Sequence, residues 1–281
     1  VRLIVPARDQ GQTNGCGTAC LSAVMDFWKP GRPENAWPAI EAALRPFDWY
    51  TAPGELLRYA RLHGFEAAIL LDARPEELLT CLDRGWPAIA LCDRSGGLGR
   101  SLHYMVAVGY EADDEGPRVT WMDPAQGGFW SVRLEDFDRE WQDLTFRGWP
   151  TCLGRVLVVA VPAGSGLATW LPVRPLPTAA AMLIGPLGIK DAAIAWRNRN
   201  LLRLIAGALE VALSLPGMLG CLMAGAASRA RHEARTPIGW SLALLASLGG
   251  GILQTVGMGL SGLATLIGDP LVTLSMRQVV D

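Results

Sequence analysis

The chain has 281 residues, of which 50% are hydrophobic and 19% charged, with a net charge of −2. That balance excludes a disordered chain, a collagen-like fibre and a highly charged nucleic-acid coat, and no global charge steers the protein toward nucleic acid. The charge is unevenly spread: residues 1–174 carry 17 basic and 22 acidic side chains, while 175–281 carry 8 and 5. A normally charged N-terminal body is followed by an apolar tail.

In chain order, the first predicted element is a helix over 17–28, apolar around most of its circumference and therefore buried. Lys29-Pro-Gly-Arg-Pro33 breaks it. A second helix runs from Pro53 to His63 and stops at Gly64. Phe65–Leu71 is a strand, and Arg74–Arg84 a third helix with Pro75 in its first turn. Strands follow at Trp86–Cys92, His103–Tyr110, Arg118–Asp123, Phe129–Arg133 and Gly154–Val161, with a short helix over 135–141. Residues 111–117 read as turn. Helices first and an antiparallel meander after them predict an α+β domain over residues 1–161. Residues 162–178 read as a Pro/Gly linker and 179–281 as an all-α hydrophobic region.

Within that region, residues 204–227 contain one charge, Glu210, and 239–268 contain none. Both runs exceed the roughly 20 residues that cross a hydrocarbon core, so two transmembrane helices are expected, with membrane lipid as a partner. Lys190, Arg197, Arg199, Arg203 and Arg277 flank the pair; Arg229, Arg231 and Arg235 lie between. The bias favours both flanks, and the N-terminal domain, on the cytoplasmic side. The start of the chain has no long apolar run and reads as lacking a secretory leader. The rival reading of the tail is a soluble helical domain broken at Pro216-Gly217 and Gly249-Gly-Gly251.

Six cysteines, Cys16, Cys20, Cys81, Cys92, Cys152 and Cys221, are scattered through apolar runs and read as buried thiols. No metal site is expected, because Cys16 and Cys20 have no second ligand pair. Cys16 differs from the others. It sits between two glycines immediately ahead of the buried helix, where unpaired N–H groups and the positive dipole end favour a thiolate.

A nucleophilic thiol needs a base, and there are three histidines. His63 reads as a helix-capping residue and His232 as a solvated loop residue. His103 opens a strand. If the hairpin turns near residue 113, His103 and Asp123 face each other across its open end, where Asp123 would fix the imidazole tautomer. Acyl transfer also needs oxyanion donors, and either Gln10 or Gln12 could join the Cys16 N–H.

These segments together resemble papain-like cysteine peptidases, specifically the C39 and C39-like branch. The carriers are Gln10-Gly-Gln-Thr-Asn-Gly-Cys16-Gly-Thr-Ala-Cys20, His103-Tyr-Met-Val-Ala-Val-Gly109 and Asp123-Pro124 followed by Gly127-Gly128. Leu82-Asp-Arg-Gly-Trp-Pro87 and Glu135 to Trp141 also match, over roughly residues 3–160. The resemblance implies a papain-like fold, Cys16 as nucleophile activated by His103, Asp123 orienting His103, and Gln10, six residues upstream, in the oxyanion hole. It implies a peptide or polypeptide substrate, with leader or precursor processing and no cofactor. One departure is Gly15, where many C39 members carry Asp. The chain has no nucleotide-binding motif, so ATP-driven export would need a separate exporter subunit as partner. The rivals are a deamidase or transpeptidase on the same triad, and a non-catalytic peptide-binding or membrane-active protein.

Overall fold

Ten consecutive buried residues, Cys16 to Met25, make the first helix, α1 (Cys16–Trp28), a core element, as its apolar circumference predicts. A buried asparagine closes it: Asn35 donates from Nδ2 to the carbonyls of Met25 (3.0 Å) and Lys29 (2.6 Å). The Asn35 carbonyl accepts from the Ser22 hydroxyl at 2.7 Å. The computed structural model describes residues 1–45, 50–93, 102–142, 144–146, 149–153 and 155–170, and short helical stretches between 201 and 260.

A 3₁₀ turn (Pro33–Asn35) and α2 (Trp37–Leu44) come next, followed by α3 (Pro53–Leu62), β1 (Phe65–Leu70), α4 (Pro75–Asp83), β2 (Ala88–Asp93), β3 (Leu102–Asp113), β4 (Gly116–Asp123) and β5 (Gly128–Arg133). Then come α5 (Leu134–Gln142), the short strands β6 (Leu144–Phe146) and β7 (Trp149–Leu153), β8 (Val156–Pro162) and α6 (Leu167–Trp170). The 3₁₀ turn and α2 are additions to the sequence reading. Both carry their prolines in the first turn, where a missing N–H costs nothing.

Six strands form one antiparallel sheet in the order β1-β8-β2-β3-β4-β5, so the expected α+β class and meander are both present. The sheet is buried on both faces. Ala88, Ala90, Cys92, Met105, Ala107, Val119, Trp121, Leu157 and Val159 join one apolar cluster with Leu78 and Leu82 of α4 and Phe137 and Trp141 of α5. The intervening Ile89, Leu91, Tyr104, Val106, Val108, Val156 and Val158 are equally buried, and α1 and α3 pack against β3, β1 and β8. Two-sided burial explains why β2, β3 and β8 read as continuous apolar runs rather than alternating ones.

The β3–β4 hairpin departs from its expected register. The ladder extends through residues 111–113, read as turn from the sequence, to the pair Asp113↔Gly116, leaving Asp114-Glu115 as the loop. Gly116, at φ 106°, takes the backbone angle this tight reversal needs. Continued unbroken, that register would set Asp123 opposite Val106 and put His103 and Asp123 on different faces. A bulge between Ala107 and Gly109 shifts it: Val106 pairs with Met122 and Ala107 with Trp121. Asp123 then falls opposite Met105, on the face of His103 and diagonal to it, not directly across.

The bulge is held from its open edge. Leu3 N–H donates to the Val108 carbonyl (2.6 Å) and Tyr110 N–H to the Val1 carbonyl (2.8 Å), with Arg2 bridged to Gly109. A Cβ on Gly109 would lie 2.4 Å from the Val1 carbonyl oxygen.

The chain divides into two units, Val1–Trp149 with Leu153–Pro172, and Pro150–Cys152 with Val173–Asp281. In the first, Glu66 ties down the segment after β8, accepting from Gly164 N–H (2.6 Å) and Leu167 N–H (3.2 Å). In the second, Pro150–Cys152 belong to β7 and the positions described from 201 onward are helical, and among the described residues no helix is long and apolar enough to cross a membrane. Most of the two apolar runs, with Glu210, lies outside the described residues.

Gly109→Ala is expected to push the first residues off the bulge. Urea denaturation should show a loss of about 1–3 kcal/mol, and the Leu3 and Tyr110 amides should lose hydrogen-exchange protection.

Candidate functional site

Cys16 is the first residue of α1, and Gly15, its N-cap, makes no side-chain cap bond. The N-terminal N–H groups of the helix therefore remain directed at the space beside Cys16. The loop before it is tied to itself: the Thr13 hydroxyl donates to the Gln10 carbonyl (2.9 Å), and Gly15 N–H donates to the Thr13 hydroxyl (3.2 Å). Gln10 N–H donates to the Pro124 carbonyl at 2.9 Å, which ties this loop to the end of β4.

His103 stands near the start of β3 and Asp123 at the end of β4, so both lie at one end of the sheet. The His103 Nε2 and Asp123 Oδ1 atoms are 2.7 Å apart. Asp123 Oδ1 also accepts from Ala125 N–H at 2.9 Å. The Cys16 side chain lies close enough to the His103 imidazole to act on its ionisation. With Nε2 engaged by Asp123, Nδ1 is the nitrogen left for the sulfur. Asp123 is fully buried, and Cys16 and His103 are each 6% exposed. The three predicted site residues are thus brought together, although by a diagonal rather than a direct cross-strand contact.

Burial acts to lower the His103 pKa, but hydrogen bonds to Asp123 and Cys16 and the charges of both outweigh it, raising it to about 9. The imidazole is held as a cation at neutral pH. Cys20, one turn along α1, is fully enclosed, and its thiol is pushed well above the ordinary range by burial, then by Cys16, Asp123 and Cys92. It packs as a neutral thiol. Cys92 donates from its sulfur to the His103 carbonyl at 3.4 Å, steadying the backbone under the imidazole.

Gln10 and Gln12 separate clearly. Gln12 is exposed, whereas Gln10 is partly buried and its Nε2 donates to the Thr13 carbonyl at 2.8 Å. One amide hydrogen is left for a further acceptor. His63 caps α3 and packs on Tyr59, ring centroids 4.3 Å apart, in keeping with its capping role. His232 lies outside the described residues. Cys16, Cys20, Cys81 and Cys92 are free buried thiols, and no group of three metal-ligating side chains occurs among the described residues.

Two residues that the sequence reading did not single out adjoin the nucleophile turn. Glu41 of α2 accepts from the Thr18 hydroxyl at 2.7 Å and from Arg45 Nη1 at 2.8 Å. Their spacing marks them as a pair on one helix face; only the packing of α2 on α1 places them beside Gly15.

A family model described as Peptidase_C39 like family matches residues 2–148. Solved structures also show similarity, two of them as follows. The crystal structure of a double glycine motif protease from an AMS/PCAT transporter, in complex with the leader peptide, is 22% identical with a TM-score of 0.41, covering 58% of this chain and 94% of that one. The peptidase domain of Streptococcus ComA, a bi-functional ABC transporter of a quorum-sensing pathway, is 18% identical with a TM-score of 0.43, covering 56% and 98%. No curated protein matches the chain.

The raised pKa of His103 couples folding to pH. The unfolded value is about 6.5, so its stabilisation is complete below about pH 6.5 and is lost as pH rises through about 9. In Asp123→Asn the imidazole should titrate well below its wild-type value by NMR. That loss of stability, followed by urea denaturation at stepped pH, should disappear.

Proposed function

Because this chain belongs to the Peptidase C39-like family, we propose that it is a cysteine peptidase that hydrolyses peptide bonds through Cys16, His103 and Asp123. The observation that carries this is the buried imidazole, 2.7 Å from Asp123 and beside Cys16 at the start of a helix. The cationic His103 pairs with the Cys16 sulfur, the nucleophile. The thiolate adds to the scissile carbonyl, forming a C–S bond, and negative charge develops on oxygen. The Cys16 N–H and the spare Gln10 amide hydrogen receive that charge. As the C–N bond breaks, His103 gives its proton to the leaving amine. Water, losing a proton to His103, then cleaves the thioester to the acid, with the C–S bond breaking, and restores the thiolate–imidazolium pair. Asp123 keeps Nε2 oriented throughout.

The substrate class is a peptide or polypeptide, and the role proposed is removal of a leader or precursor segment. We further propose that the apolar tail anchors the enzyme to a membrane, with the peptidase domain on the cytoplasmic side and a separate exporter subunit as a partner. Among the described tail positions, Leu201, Ile205, Leu215, Leu219 and Met223 are exposed around the first run, and Leu245, Leu248, Ile252 and Val256 in the second. A Cβ at Gly249 would touch Met223 Cε at 3.5 Å, so the two runs pass close together. Such apolar side chains turned outward suit lipid better than water.

A peptide-like thiol inactivator is expected to label Cys16 selectively, and His103→Ala to slow that labelling by about 10²-fold or more. Equal labelling of all accessible thiols would reject the activated pair. Product analysis assigns the chemistry: a new peptide carboxyl marks a peptidase, a converted glutamine side chain a deamidase, a new amide a transpeptidase. For the tail, alkaline carbonate should leave the full chain in the membrane pellet and release residues 1–172, whereas release of both would reject an anchor.

A further inference from the structure

Side chains crowd the space beside Gly15. A Cβ there would stand 2.2 Å from Glu41 Oε1, 2.8 Å from Arg45 Nη1 and 2.9 Å from the Thr13 hydroxyl. The space beside the residue that precedes the nucleophile is filled by an ion pair from another helix. Glu41 Oε1 accepts from the Thr18 hydroxyl (2.7 Å), Trp37 Nε1 (3.1 Å) and Arg45 Nη1 (2.8 Å), and Oε2 accepts from the same Nη1 (3.0 Å). The Arg45 side chain is 3% exposed and that of Glu41 22%.

This network reaches the backbone of Cys16. The Thr18 hydroxyl that contacts Glu41 also lies 2.9 Å from the Gly15 carbonyl, which accepts from Ala19 N–H at 2.9 Å as well. The Gly15–Cys16 peptide is planar and trans. Holding its carbonyl along the helix therefore directs the Cys16 N–H the opposite way, out of the helix and beside the sulfur. Glu41 also places a negative charge at the N-terminal end of α1, where it disfavours a second negative charge on Cys16, and Arg45 offsets it.

We propose that Glu41 and Arg45 are positioning residues for the nucleophile. The pair orients the Gly15–Cys16 peptide and, by the balance of its two charges, sets how readily Cys16 ionises. The inference rests on the reading of Cys16 as the nucleophile. Among the described residues, the other titratable groups that interact with Cys16 are His103 and Tyr104 of β3 and Cys20 of α1, with Asp123 of β4 beyond His103 and Glu55 of α3 beyond Tyr104. None of them belongs to α2, so changes in the pair alter one element alone.

The test is the pH profile of Cys16 alkylation by iodoacetamide in the full chain, read by mass spectrometry of the Cys16 peptide. Glu41→Gln keeps an acceptor for Thr18 and Trp37 but removes the negative charge. It should move the onset of alkylation down by about half a pH unit or more, the scale of one unit charge a few ångströms away screened as in bulk water. Arg45→Gln should move it up by a similar amount. The double variant, again neutral, should return toward the wild-type onset. A purely structural pair would move both single variants the same way or not at all, and either result overturns the inference. If Arg45→Gln does not fold, the direction of the Glu41→Gln shift and the return in the double variant decide it. A wild-type alkylation rate that ignores His103→Ala would overturn the peptidase reading and this inference with it. A His103-dependent rate that is unmoved in Glu41→Gln would overturn the inference alone.

Discussion

A carboxylate with no exposure to water must be paired, and the partner of Asp123 at the end of β4 is His103. Leaving a buried charge unpaired costs about 3–5 kcal/mol, a large share of what holds a domain together. That requirement reaches back into the hairpin. The tight turn at Asp114-Glu115 would carry Asp123 to the wrong face of β3, and the bulge near Val108 returns it to the face of His103. The N-terminal residues cover the edge of that bulge, with Gly109 as the point of closest approach. Pairing, register and chain start are therefore one linked feature.

The rest of the domain surrounds this feature with apolar packing. A sheet covered on both faces leaves no room for polar groups along the middle of its strands. Polar chemistry is displaced to the strand ends, where loops and a helix N-terminus can meet it. His103 and Asp123 occupy such an end, Cys16 approaches on α1, and the Gln10 loop is tied to Pro124. The hydrogen bonds among Gln10, Thr13 and Gly15 build a turn that leads into Cys16.

Much of this was legible in the sequence, for identifiable reasons. The continuous apolar circumference of α1, the glycines around Cys16 and the turn material before β4 are local signals, and they act over a few residues. The hairpin register was not legible: a bulge adds one residue without any distinctive residue type, so counting from the turn reaches the wrong partner. Helix α2 was not read from the sequence: it is short, and it follows Pro33, part of the run that breaks α1, although Pro33 and Pro38 both occupy first turns. Gln10 and Gln12 have equal chemistry; the resemblance pointed to Gln10, and in the structure Gln10 is partly buried and bonded to Thr13 whereas Gln12 is exposed.

By itself the sequence determined which residues have the right chemistry and which elements they stand on, since periodicity, capping and turn preference are set by near neighbours. Tertiary structure alone decided the contacts: that Asp123 meets His103 diagonally through a bulge, and that an ion pair from α2 fills the space beside Gly15. Such contacts join residues distant along the chain, and they follow from how buried surfaces and buried charges are jointly satisfied. No local pattern encodes that joint solution.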